Sequence, residues 1–138
     1  MMYGKGEGVL QDHVEAAKWY RLAAEKGQVI AQSHLGIMYL EGDGVQHDYA
    51  EAVKWFRLAA ERGDPQSQYN LALSYAKGET GEPDNVSAYM WFSLAAARFP
   101  ASDALRATAI ARRDQLMAKM TPTEVAEAQR RSREWQPK

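Results

Sequence analysis

A fixed offset of 36 residues runs through positions 1–99 of the chain. Tyr3, Tyr39 and Tyr75 fall on it, as do Gly6, Gly42 and Gly78, then Asp12, Asp48 and Asp84, Ala16, Ala52 and Ala88, and Trp19, Trp55 and Trp91. Leu22, Leu58 and Leu94 keep the same register, with the pairs Ala23-Ala24, Ala59-Ala60 and Ala95-Ala96, and Leu35 recurs as Leu71. No gap interrupts the series. A period in this range restricts the fold to a stacked array of supersecondary units, each burying its apolar face against the next. Such arrays offer a surface to a partner more often than they perform chemistry.

Within each unit the pattern predicts two helices, A then B. The B helices start at an aspartate. Asp12-His13-Val14-Glu15 and Asp48-Tyr49-Ala50-Glu51 have capping-box spacing, and Asp84-Asn85-Val86-Ser87 keeps the first half of it. Each B helix is expected to run about 14 residues, ending before Gly27 or Gly63 as left-handed terminators. In the second unit Ala52, Trp55, Phe56, Ala59 and Ala60 form one broad apolar face. Recurrence of Trp19, Trp55 and Trp91 at one position predicts core packing for all three rather than ligand stacking. The A helices are expected over about 30–41 and 66–77, the second opened by Asp64 as cap and Pro65 at the first position.

On the A helices one face repeats and the other does not. Leu35, Gly36 and Tyr39 match Leu71, Ala72 and Tyr75, and are read as core. The opposite face carries Ser33, His34, Ile37 and Leu40 in one unit and Tyr69, Asn70, Leu73 and Ala76 in the next. Such variation is expected of a surface that reads a partner. Residues 1–12, with Gly4, Gly6 and Gly8, are predicted to be turn-like. Only the last turn of an A helix, Met2-Tyr3-Gly4, survives in the first unit, so part of the first B helix is expected to face water. Val14, Ala17 and Tyr20 are the candidate self-association residues there, beside Trp19.

After Phe99-Pro100 the register stops. Residues 102–119 predict a long helix with Leu105, Ala109, Leu116 and Met117 on one side. Thr121-Pro122-Thr123-Glu124 then starts a final helix over about 122–135, with Val125, Ala128, Ser132 and Trp135 as its stripe and Arg130, Arg131, Arg133 and Glu134 on its wet side. This pair is read as a terminal cap on the array.

Charge and composition exclude several function classes. The chain has 17 basic and 18 acidic residues and no cysteine, which removes disulfides, thiolate metal sites and a cysteine nucleophile. Residues 1–100 hold 9 Lys/Arg against 13 Asp/Glu and residues 101–138 hold 8 against 5, an asymmetry too small to imply nucleic acid or an anionic membrane. No stretch reaches the roughly 18–20 apolar residues that span a bilayer. A soluble protein is expected, with the compartment open: cytoplasmic, or periplasmic or secreted if a signal lies ahead of the partial first unit. His13, His34 and His47 have no partner at metal-ligand spacing, and neither HExxH nor GxSxG occurs. Glu41 and Asp43 flank Gly42 without the alternating oxygens of a calcium loop. Hence no catalysis, no cofactor and no metal are expected.

The residues Leu35-Gly36, Tyr39, Gly42, Gly44-Val45, Asp48, Ala52, Trp55, Ala59-Ala60 and Gly63 resemble the unit of the Sel-one-like repeats, a branch of the tetratricopeptide-like α-solenoids. The likeness covers about residues 1–99, and Met120-Thr121-Pro122 with Ala128-Gln129-Arg130 and Glu134-Trp135 resembles the end of many bacterial members. Thr80, Gly81 and Phe99 depart from the pattern. The resemblance implies an all-α, right-handed α-solenoid of stacked antiparallel helix pairs in a single domain: a partial first repeat over 1–30, repeats over 31–66 and 67–100, and capping helices over 101–138. It also implies an adaptor or scaffold that binds a protein or peptide along its concave groove, often in bacterial signalling, envelope or host-interaction assemblies. By analogy with tetratricopeptide grooves, the binding set is Ser33, His34, Ile37, Leu40 and Glu41 with Tyr69, Asn70, Leu73, Ala76 and Lys77. The alternative is a self-associating subunit, or a piece of a longer repeat protein, using the exposed first helix; a homodimer is its simplest form. Nucleic-acid binding ranks last, resting only on Arg130, Arg131 and Arg133 near Trp135.

Overall fold

A computed structural model describes residues 3–79, 81 and 83–138 of the chain. Among them are seven helices: α1 (Tyr3–Glu25), α2 (Val29–Glu41), α3 (Tyr49–Glu61), α4 (Pro65–Lys77), α5 (Asn85–Arg98), α6 (Ala104–Met117) and α7 (Pro122–Glu134). Each helix from α1 to α5 packs on the next, and α7 returns to pack on α5 rather than on α6. The even-numbered helices are the A helices and the odd-numbered ones the B helices, so α6 and α7 continue the alternation after the sequence register has ended.

Helix boundaries follow the local chemistry that the sequence displays. Asp48, Asp64 and Asp84 accept the backbone N–H of Glu51, Ser67 and Ser87, which satisfies one orphan donor at each helix start. Thr121 and Glu124 form a complete reciprocal capping box, with Pro122 at the first position. The B helices α1 and α3 are followed by Gly27 and Gly63 at positive φ. Phe99 ends α5 in an extended conformation and buries its ring instead. Thr80 lies outside the described residues.

Residues 3–12 depart from expectation. They are not a turn: α1 is continuous from Tyr3, and Asp12 lies within it rather than at its cap. In the second unit the glycines have a purpose, because Gly42 and Gly44 at φ 69° and 76° reverse the chain between α2 and α3. At Gly6 and Gly8 the chain stays helical instead. Continuing the i→i−4 ladder satisfies the backbone there without a tertiary partner. Gly44 has a second reason to be glycine, since a Cβ there would run into the His13 carbonyl of α1.

The core is the repeated face. Leu35, Phe56, Leu71 and Phe92 are fully buried, with Ala52, Ala59, Ala60, Ala88 and Ala95 letting the helices approach. Gly36 marks a close approach of α2 and α3: a Cβ on it would lie 2.6 Å from Phe56 Cε1. Two glutamines repeat a polar tie across units. Gln32 Nε2 donates to the Ala24 carbonyl at 3.2 Å and Gln68 Nε2 to the Ala60 carbonyl at 3.1 Å, each linking the end of a B helix to the next A helix. Arg21 and Arg57 likewise donate to the phenols of Tyr39 and Tyr75. In the cap Ala109, Leu116 and Ala128 are buried, whereas Met117, expected on the same stripe, is exposed.

Two neighbourhoods treat the repeated tryptophan differently. Trp91 is 6% exposed, with Trp135 edge-on at a centroid distance of 5.9 Å, and the Arg98 guanidinium lies over Trp135. Trp55 is 4% exposed, with the Lys54 ammonium above its ring. Trp19, expected to be core, is 69% exposed. Among the described residues α1 has α2 as its one extensive packing partner. Beyond α7, Lys138 donates its backbone N–H to the Glu61 carbonyl at 2.7 Å while its ammonium pairs with the Glu61 carboxylate, tying residues 135–138 to the end of α3.

Candidate functional site: the A-helix groove

The ten expected groove residues divide when placed on α2 and α4. On α2 His34 is exposed, with its ring stacked on Tyr20 at 4.9 Å. Ile37 and Leu40 are half-buried and Glu41 is exposed at the helix end. On α4 Asn70, Leu73 and Ala76 are half-buried and Lys77 is exposed. Ser33 and Tyr69, which occupy equivalent positions, are corrections: they are 8% and 7% exposed and belong to the interior. The reason is that an A helix lies between two B helices, its own and the preceding one. Its buried arc is therefore wider than the single stripe that one packing partner would cover.

Tyr69 still shapes the site from beneath. Its ring stands edge-on to Phe92 at 5.7 Å, and its hydroxyl accepts a hydrogen bond from Arg112 Nε at 3.0 Å. This fixes the root of an exposed arginine on α6 against the floor of α4. Between α4, α5 and α6 lies an open recess of about 180 Å³. Leu73, Ala76, Phe92 and Leu116 supply apolar walls, and Asn85 and Gln115 supply amides. Lys77, Arg112 and Lys119 supply three positive charges.

Three of the expected groove residues thus meet at one place, while Arg112, Gln115 and Lys119 were missed. They lie beyond the 36-residue register, and their own spacing carries no repeat signal. A usable signal was the alternation itself: a helix following a B helix must stand where an A helix stands, so the exposed side of α6 must extend the groove.

The self-association set divides too. Val14 is exposed and Tyr20 half-buried, but Ala17 is buried under α2, on the same small-residue stripe of α1 as Ala24. The large exposed side chains at this end are Trp19, Leu22 and Ile30.

The other candidate chemistries gain no geometry. His13 hydrogen-bonds Asp43, His34 stacks on Tyr20, and His47 stands edge-on to Tyr49. Among the described residues no three His, Cys, Asp or Glu side chains gather as metal ligands, and no helix is long and apolar enough to cross a membrane. The arginines of α7 are largely neutralised within their own helix. Arg130 pairs with Glu127 at 2.6 Å and Glu134 at 2.7 Å, and Arg131 pairs with Glu127 at 2.8 Å. Hydrogen bonds from Arg130 and Arg131 hold the Glu127 carboxyl down to about 2.

Comparison with known proteins agrees with this geometry. The Sel1 repeat model matches three consecutive segments, residues 1–28, 29–64 and 65–98. The chain belongs to the Sel1 repeat family. Similar solved structures include a protective antigen present in uropathogenic Escherichia coli strains that displays an SLR fold, at 32% identity and a TM-score of 0.80 over 89% of this chain. Another is a Sel1 repeat protein from Oxalobacter formigenes, at 33% identity and a TM-score of 0.59 over 61% of this chain. The Sel1 repeat chain described here spans a quarter of the length of the first, 25%, and 35% of the second. No curated protein matches it significantly. Sel1 repeat proteins typically mediate protein–protein interaction, and the family is generally a non-catalytic scaffold family.

Proposed function

We propose that the protein is an adaptor that holds a protein or peptide partner along the concave groove formed by α2, α4 and α6, with no catalytic step of its own. One observation carries this reading. Apart from the buried pair Ser33 and Tyr69, the expected groove positions that differ between repeats stay accessible on the A helices, and Leu73, Ala76 and Lys77 converge with α6 on an open recess. The groove set is His34, Ile37, Leu40 and Glu41 on α2 and Asn70, Leu73, Ala76 and Lys77 on α4, with Ser33 and Tyr69 supporting it from below. Asn70→Ala combined with Leu73→Ala should abolish partner capture in pull-downs while leaving the melting temperature within a few degrees. Collapse of the fold would place those side chains in the core and remove the reading.

A second reading rests on Val14, Trp19, Leu22 and Ile30, whose exposure leaves apolar area in water at about 25 cal/mol per Å². Under it the first helix pairs with another copy or is covered by earlier repeats of a longer protein. Sedimentation across a concentration series tests the pairing version: a dimer that Val14→Glu disperses supports it, and a monomer throughout removes it.

A further inference from the structure

We propose that the recess between α4 and α6 selects an acidic peptide segment, seating one aliphatic side chain in the hollow while flanking Asp or Glu carboxylates meet Lys77, Arg112 and Lys119. The inference rests on the groove reading above and specifies what that groove prefers.

Size comes first. At about 180 Å³ the hollow is smaller than the roughly 300–1,000 Å³ of pockets that enclose drug-sized ligands, so it suits a single side chain. Its walls of Leu73, Ala76, Phe92 and Leu116 make that side chain aliphatic. One period earlier the chain has Leu40 where Ala76 stands and Glu41 where Lys77 stands. The smaller side chain opens the hollow, and the reversed charge makes its edge positive, both at the same place.

Charge comes second. Among the described residues Lys77, Arg112 and Lys119 take part in no ion pair, unlike Arg113, Arg130 and Arg131, which each have a carboxylate partner. Arg112 is also held in place: with Nε committed to the Tyr69 hydroxyl, its two terminal amino groups are what it offers, a fork suited to a carboxylate. The cations stand around the hollow on α4, on α6 and in the turn after α6, and the groove continues over the exposed side of α6. That arrangement fits an internal stretch of peptide with carboxylates on both sides of its aliphatic residue.

The test is selection from a random peptide library displayed on phage, panned against the full chain, against Lys77→Glu/Lys119→Glu, and against Ala76→Trp, which fills the hollow. Both lysines are exposed, so the double variant should melt with the parent; circular dichroism checks this for each variant. The expected outcome is enrichment of Asp and Glu around Leu, Ile or Val. Synthetic copies of the selected peptides should lose at least tenfold in affinity on the double variant and on Ala76→Trp, and weaken as salt rises from about 50 to about 300 mM. Selected peptides without acidic enrichment, or acidic ones that bind the double variant equally, would overturn the inference while keeping the groove. Peptides insensitive to Ala76→Trp and to Asn70→Ala/Leu73→Ala would overturn the groove reading itself. Oligothymidylate binding more tightly than any selected peptide would overturn the peptide assignment in favour of a polyanion.

Discussion

Trp19 and Trp91 occupy the same position of the repeat, two periods apart, yet one is 69% exposed and the other 6%. Helix α5 has α4 and α6 beside it and α7 behind, and Trp135 closes over Trp91. Among the described residues helix α1 has α2 alone as an extensive partner. The register thus determines which residue is offered for burial, and the neighbouring element determines whether burial occurs. The two ends of the array differ by what stands beside them.

That contrast can be broken by measurement. Trp55→Ala and Trp91→Ala each remove a buried ring and should cost about 3–5 kcal/mol in denaturant unfolding; a loss under about 1 kcal/mol would mean that these positions are no better packed than Trp19. Trp135→Ala takes away the lid rather than the core. It should cost about 1–2 kcal/mol and expose Trp91 to acrylamide quenching. Trp19→Ala in dilute solution should change stability by no more than about 0.5 kcal/mol, the range of surface substitutions. A large loss there would reveal a partner on α1, and its dependence on protein concentration would identify that partner as another copy.

The smallest effect concerns acid. Glu127 should titrate near about 2 by NMR instead of at the usual 4.5, because Arg130 and Arg131 donate hydrogen bonds to its ionised form. A depressed carboxyl contributes its stability above the ordinary value and loses it as pH falls through the folded one. The pairing is exposed, so its removal by Glu127→Gln should barely alter the melting temperature at neutral pH while abolishing the low titration step.

Most of the fold was legible because its signals are local. Asp64-Pro65, Thr121 with Glu124, and the paired alanines each act within one or two turns of helix, and each does in the structure what its chemistry requires. The exceptions lie where the local pattern does not decide the outcome. Ser33 and Tyr69 are buried by a second packing partner that the periodicity of one helix does not encode. Ala17 lies under α2, the one extensive partner of α1 among the described residues, and the glycines near the start continue the helical ladder of α1. Half of the recess was equally silent, since Arg112 meets Tyr69 across 43 residues of chain and outside the register.

The tie between Lys138 and Glu61 bears on how the molecule comes apart. In an array whose units touch only their neighbours, fraying starts at an end and travels inward one unit at a time. Here the segment after α7 is fastened to α3, past the whole of α5, so loosening the last helix also pulls on a contact to the middle of the stack. The end bearing Trp19 has no such fastening among the described residues. Unfolding should therefore have a direction, opening at α1 first and reaching α7 last.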